Sequence, residues 1–318
     1  MDPQQFFAGS RLVIVAGKGG VGKTTVTAAL AVAAASCGLH TLVIEVEGRS
    51  GLPLLVGGDE LGYDERIIRP ATQGVAALAA RTITPEKALI DYMEERRLGR
   101  LSQRLQRAGV LDVVATAAPG IDDLLVLGKV KQIERAGEHD LVIVDGPAAG
   151  HAVSFLQSAR GLADAVNVGP ISTQARDVLE LLGDPARCQV ILVTLPEETP
   201  VNELVETAFA LEDRVGISLG PLVVNGLVGA PGGLATDPDD AARAAGTTLA
   251  RDDAEALRQA AAFRRAVDAR QRAEIARLIA RLPLPQLHLP FVFTAGIGPD
   301  DVDRLAALLL TGIGALAA

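Results

Sequence analysis

Aromatic residues are scarce: tryptophan is absent, and aromatics make up 3% of the chain. Positive charge is also in deficit, with 30 basic residues against 39 acidic ones and a formal net charge of −9. Nucleic-acid binders neutralise phosphates with cations and stack bases on rings. This chain is short of both, so no nucleic acid is expected as a direct partner. Cys37 and Cys188 are the only thiols, and no CxxC occurs. Neither a disulfide framework nor a thiolate zinc site can then be assembled within one chain, and a reducing cytoplasm is the expected setting. The start, Met1-Asp2-Pro3-Gln4-Gln5, lacks the charged and apolar regions of a signal peptide. The C-terminal uncharged apolar tract, Leu305 to Ala318, has 14 residues, fewer than the ~20 a spanning helix needs. No transmembrane segment is expected. That tail is read as a last helix packed on the sheet, and any membrane association would be peripheral, at the inner face.

Lysine is rare as well. Lys18, Lys23, Lys87, Lys129 and Lys131 are the only five, and two of them stand in one glycine-rich loop. Arginine's planar fork does not replace a compact ammonium at a phosphate, so that loop is where lysine chemistry is required.

What the chain does contain is a large apolar fraction, 49% over 318 residues, enough for one large core. Arg11 to Ala16 reads as a short buried strand, and the Ala- and Val-rich stretch from Lys23 to Cys37 as a helix. Further strands are expected at Thr41 to Val46, Gly74 to Ala79, Leu141 to Val144, Gln189 to Thr194 and Pro221 to Asn225. Alternation with helices predicts an α/β fold with a mostly parallel, doubly wound sheet. The whole chain, 1–318, reads as one domain with a small helical insertion at about 84–135 and a mobile loop at about 229–253, rich in Gly, Ala, Asp and Pro. Thr84 and Pro85 suit a helix start. Within the insertion Leu98, Leu101 and Leu105 recur at helical spacing, and Arg96, Arg100 and Arg104 form a basic stripe, read as a solvated face or a surface for anionic lipid or a partner. Ala254 to Leu282 reads as one long charged helix.

Gly17-Lys18-Gly19-Gly20-Val21-Gly22-Lys23-Thr24-Thr25 matches GxxxxGK[ST] and sits between a strand and a helix, where a phosphate loop belongs. Glycines let successive backbone N–H groups converge on phosphate oxygens at a helix N-terminus. Lys23 is expected to neutralise the β and γ phosphates of ATP, and the Thr24 hydroxyl to be a ligand of Mg2+. Asp145 ends an apolar strand at the carboxyl edge of the sheet, where a carboxylate can hold the same ion through water.

Lys18 narrows the class. The loop resembles the deviant Walker A of the P-loop NTPases that include MinD, ParA, nitrogenase iron protein, ArsA and the ATPase that targets tail-anchored membrane proteins. Asp145-Gly146-Pro147-Ala148-Ala149-Gly150-His151 resembles the DTAPTGH switch of the ArsA and tail-anchored-targeting branch, and Pro119-Gly120-Ile121-Asp122-Asp123 its PGIDE segment. Leu195-Pro196-Glu197, Val223-Val224-Asn225 and Leu289-Pro290-Phe291 resemble three more of its segments in order. The Arg-over-Lys bias points to an ArsA-like branch typical of high-GC actinobacteria. The resemblance implies a nucleotide-sandwich dimer, homodimeric or formed with a related ATPase, in which Lys18 reaches the partner's nucleotide. It implies that Asn225, Pro290 and Phe291 line the adenine side and that His151 belongs to a conformational switch. It also implies a membrane-protein client or partner, engaged through a helical surface around Ala88 to Gln106.

The likeness has departures. The branch's first switch is DPAH, whereas this chain has Glu47-Gly48-Arg49-Ser50, so Glu47 would have to orient the attacking water with a side chain one methylene longer. Slow or partner-activated hydrolysis is the expectation, because positioning dominates phosphoryl transfer. Arsenite needs a cluster of soft thiolates, and this chain has only Cys37 and Cys188, far apart. A methionine-rich client groove is missing too, since only Met1 and Met93 are present. The expected function is an ArsA-like Mg-ATPase that is not an arsenite-pump subunit. Two other readings stay open: a non-catalytic ATP-gated subunit of a heterodimer, and a MinD- or ParA-like positioning ATPase.

Overall fold

Runs of aliphatic residues with no polar alternation become strands covered on both faces. In the computed structural model, which describes residues 1–46, 51–96, 120–147, 149–166 and 168–316, β1 (Leu12–Gly17) and β5 (Leu141–Asp145) are buried at every position. They join β2 (Thr41–Val46), β3 (Arg66–Arg69), β4 (Leu78–Ile83), β6 (Cys188–Thr194), β7 (Leu222–Leu227) and β8 (Gln286–Pro290) in one sheet of order β3-β4-β2-β5-β1-β6-β7-β8. Every neighbouring pair is parallel except β3 with β4.

The helices are α1 (Pro3–Ala8), α2 (Lys23–Ser36), α3 (Leu52–Val56), α4 (Pro85–Glu95), α5 (Ile121–Ala136), α6 (Ala149–Ala165), α7 (Pro170–Gly183), α8 (Glu198–Val215), α9 (Pro238–Ala244), α10 (Arg251–Arg281) and α11 (Pro299–Ala315). Side chains alternate across a strand, and this splits the core in two. Leu12, Ile14, Leu42, Ile44, Val142 and Val144 pack under α5, α6, α7 and α8. Val13, Val15, Val43, Ala80 and Ile143 pack under α2 and α11. α2 is apolar on nearly every face and is buried from Val26 to Ala35, as a helix hydrophobic all round must be. From β1 the chain goes first to one side of the sheet, to β2, and later to the other, to β6. The crevice at the carboxyl end of β1 is therefore the topological switch point, where open α/β sheets bind ligands.

The doubly wound, mostly parallel sheet agrees with the sequence reading; several element limits differ. Gly74 takes φ +82 in a turn closed by reciprocal Thr72 and Val75 hydrogen bonds of 3.0 and 3.1 Å, so the strand expected at Gly74 to Ala79 begins instead at Leu78. β3 and β8 were not anticipated as strands. One is flanked by arginines and the other is bounded by prolines, the composition of protected sheet edges. The 229–253 segment is not all loop, because α9 lies inside it, capped by Asp237, whose side chain accepts from the Asp239 amide. Thr84 is the N-cap of α4 but makes no side-chain capping bond. The C-terminal helix does cover the core, as α11 against α2 and β8. Of the proposed insertion, α4 and α5 are described; Leu98, Leu101, Leu105, Arg100 and Arg104 lie outside the described residues. Arg96 stands over the Tyr92 ring, 5.1 Å from its centroid, and Ala88, Leu89 and Met93 are buried in the core.

Candidate nucleotide site

β1 runs into the loop through Gly17, at φ +155. A Cβ there would stand 2.3 Å from the Val193 carbonyl oxygen, so only glycine lets the end of β1 lie against β6. Val21 is buried against the α2 face and anchors the loop. Gly22 takes φ +86 as the N-cap of α2 and has no side chain to occupy the first-turn amides, which leaves Lys23, Thr24 and Thr25 at a helix start suited to anions. At Gly19 and Gly20 an added Cβ would meet nothing within 4 Å, so the outer side of the loop is open. Lys23 Nζ donates to the Lys18 carbonyl oxygen at 3.1 Å, which arches its ammonium back across the loop.

Asp145 joins loop to sheet. Thr24 Oγ1 donates to its Oδ2 at 2.8 Å and Thr27 Oγ1 to its Oδ1 at 3.1 Å. The carboxyl is buried, and burial pushes its pKa above the ordinary carboxylate range. The Thr24 and Thr27 hydroxyls and the Lys23 ammonium pull it back, while Glu45 adds to the rise. Hydroxyl and carboxylate oxygens are hard donors, and no cluster of three or more His, Cys, Asp or Glu stands ready to enclose a metal among the described residues. That donor set fits Mg2+, which binds through one or two protein oxygens and keeps much of its water.

On the opposite side of β1, Asn225 within β7 donates from Nδ2 to the Val21 carbonyl oxygen at 2.9 Å. It stands so close that a Cβ on Gly22 would be 2.4 Å from the same nitrogen. Its amide thus ties β7 to the phosphate loop. Pro290 pairs with Leu227 across β8 and β7, and the Phe291 amide donates to the Leu227 carbonyl at 2.9 Å. Phe291 is half exposed and meets Phe293 edge to face, with centroids 4.8 Å apart. The structure therefore brings Pro290 and Phe291 against Leu227 of β7, the strand whose Asn225 lies against the loop.

Lys18 pairs with Glu203 on α8 at 2.5 Å. Glu47, residues 48–50 and the His151 side chain lie outside the described residues. Four polar residues of this region escaped sequence reasoning. Thr27 follows Thr24 by one helical turn, and Glu45 is a charge inside an apolar strand, a signal in its own right. Thr82 and Glu203 carry no such local mark.

The chain is similar to known ATPases over most of its length. A family model described as anion-transporting ATPase matches residues 10–169. The ATPase BagA of Mycobacterium tuberculosis is 32% identical over 307 residues, covering 90% of this chain and 88% of that protein. The ATPase get3 of Botryotinia fuckeliana is 28% identical over 207 residues, 64% of this chain and 57% of that protein. ATPase GET3C of Arabidopsis thaliana is 31% identical over 159 residues, 45% of this chain and 40% of that protein. Among the described residues no helix is long and apolar enough to cross a membrane. With a phosphate loop at the switch point of a doubly wound sheet and these likenesses over most of its length, the chain belongs to the ArsA family of anion-transporting ATPases.

Proposed function

We propose that this chain binds Mg-ATP in the Gly17 to Thr25 loop and hydrolyses it, and that nucleotide drives closure of a dimer acting on a membrane-protein client or partner. The observation that carries the reading is the Thr24–Asp145 bond of 2.8 Å, which sets a hydroxyl and a carboxylate together beside the Lys23 ammonium. Phosphoryl transfer demands little covalent chemistry from protein and much positioning. The loop amides and Lys23 hold the β and γ phosphates, and Asn225, Pro290 and Phe291 take the adenine. A Mg2+ held at Thr24 and Asp145 would draw charge from the same phosphates. Glu47 orients the water. Lys18 acts from one subunit on the nucleotide of the other, as an arginine finger does, an effect that reaches ~10³ to 10⁵ in rate.

Steady-state phosphate release by the purified chain, compared with Glu47→Gln, tests the reading. Release above background that falls with the variant supports it. Tight Mg-ATP binding without release under any condition favours the second reading, a non-catalytic ATP-gated subunit, which the glutamate at the switch position keeps open. A folded sample with no calorimetric response to Mg-ATP overturns both.

A further inference from the structure

Three polar side chains lie in register across three adjacent strands. Thr82 of β4 is the partner of Glu45 in β2, and Glu45 is the partner of Asp145 in β5. Neighbouring strands are ~4.8 Å apart. By the period of two, all three residues share the face of Ala80, Val43 and Ile143, which lies under α2. Glu45 is buried, 4% exposed, and its Oε2 accepts from the Thr82 hydroxyl at 2.7 Å. The row runs on through Asp145 to Thr24 and Thr27 at the head of α2. A buried acid in the middle of a sheet is expensive to desolvate, and two side by side repel one another in a poorly screened setting.

Nothing in the Mg-ATP reading above uses Glu45, yet that reading supplies a purpose for its charge. We propose that Glu45 is a positioning residue of the metal site, a second carboxylate that acts through Asp145 to raise the affinity of the site for the divalent cation accompanying the nucleotide. Thr82 fixes the Glu45 carboxylate by donating to it from the next strand. The two acids make the end of β2 and β5 more negative than Asp145 alone would. A divalent cation beside Thr24 relieves the repulsion, so cation binding and the Glu45–Asp145 pair are coupled. The inference rests on the Mg-ATP reading and is separable from it by experiment.

The test is a titration of Mn2+ into the full chain with ADP, followed by electron paramagnetic resonance, beside ADP affinity measured by calorimetry in EDTA. Glu45→Gln keeps an oxygen for Thr82 to donate to and removes the charge. It is expected to weaken Mn2+ binding about tenfold, the size of a one-unit electrostatic change, and to leave ADP affinity in EDTA unaltered. Glu45→Asp, which restores the charge, is expected to recover most of the loss. Wild-type Mn2+ affinity in Glu45→Gln, or an equal loss of ADP affinity in EDTA, overturns the proposal and leaves the ATPase reading standing. Failure of the wild type to bind ADP or Mn2+ at all removes both. Should Glu45→Gln not fold, Thr82→Val decides. A loss of Mn2+ affinity of ~3-fold, the scale of one neutral hydrogen bond, supports the row, and an unchanged affinity overturns it.

Discussion

Lys18 and Glu203 are separated by 185 residues in the chain, and their charged ends stand 2.5 Å apart. The first lysine of the glycine loop is thus held by α8 of its own chain. Each side chain is 39% exposed, and pairs so open to water contribute only ~0–1 kcal/mol. Such a pair restrains the lysine and yields easily when a better anion approaches. Glu203→Gln is expected to raise ATP turnover, by at most ~5-fold from that energy, with little change in melting temperature. Phosphate release at several protein concentrations checks this, and lower turnover in the variant contradicts it.

The two lysines of the loop have different surroundings and should fail differently. Lys23 arches over the loop and Lys18 reaches out to α8. Lys23→Ala is expected to abolish ATP binding, whereas Lys18→Ala spares binding and stops turnover. Fluorescent-nucleotide titration beside phosphate release distinguishes them. An equal loss of binding in both variants contradicts a role for Lys18 across a dimer.

Asp145 carries a stability cost. Its pKa is raised in the fold, chiefly by burial, so the folded chain holds that proton more tightly than the unfolded one. The stabilisation from the proton is full below the unfolded carboxyl's pKa and is lost as pH rises through the folded value. At neutral pH the buried carboxylate therefore works against folding. Asp145→Asn is expected to melt a few degrees higher than wild type near pH 7.5, the two converging as pH falls through the folded value, and to lose Mg-dependent nucleotide binding. Melting curves across pH with and without Mg-ATP check both halves; a lower melting temperature at neutral pH contradicts the first.

At the far end of the sheet Glu134, its side chain 1% exposed, accepts from Arg187 through both carboxylate oxygens and lies 3.9 Å from Arg11. The arginines lead into β6 and β1, so this network joins α5 to the amino ends of two central strands. Glu134→Ala is expected to destabilise the fold by ~3 kcal/mol, the lower end for a broken buried pair because Arg187 still reaches water. Urea unfolding reads that loss. Nucleotide affinity at the opposite edge is expected to stay within error, and a matching loss of affinity would contradict the separation of the two ends.

Much of this was legible residue by residue. The apolar run of β1, the glycines and the apolar helix after them state a phosphate loop through local spacing, and the acid closing β5 announces itself by interrupting an aliphatic strand. Edge strands were not legible, since arginines in β3 and prolines around β8 mask the pattern that marks central strands. α9 was hidden in a segment of Gly, Ala, Asp and Pro whose short helix depends on Asp237, a residue also clamped by Arg258 at 2.8 Å. Glu45 was readable as an anomaly, but its neighbours were not.

By itself the amino-acid sequence determined the chemistry available here: a glycine loop with two lysines between a strand and a helix, two cysteines too few for a thiolate zinc site within one chain, and strands apolar enough to be covered on both faces. These follow from composition and short-range periodicity, which operate within a few residues. Tertiary structure alone decided the pairings, placing Thr82 beside Glu45 and Glu45 beside Asp145, Glu203 against Lys18, and Asn225 against Val21. Strand register and helix docking bring such groups together, and those are set by the packing of the whole core, so no local pattern records them.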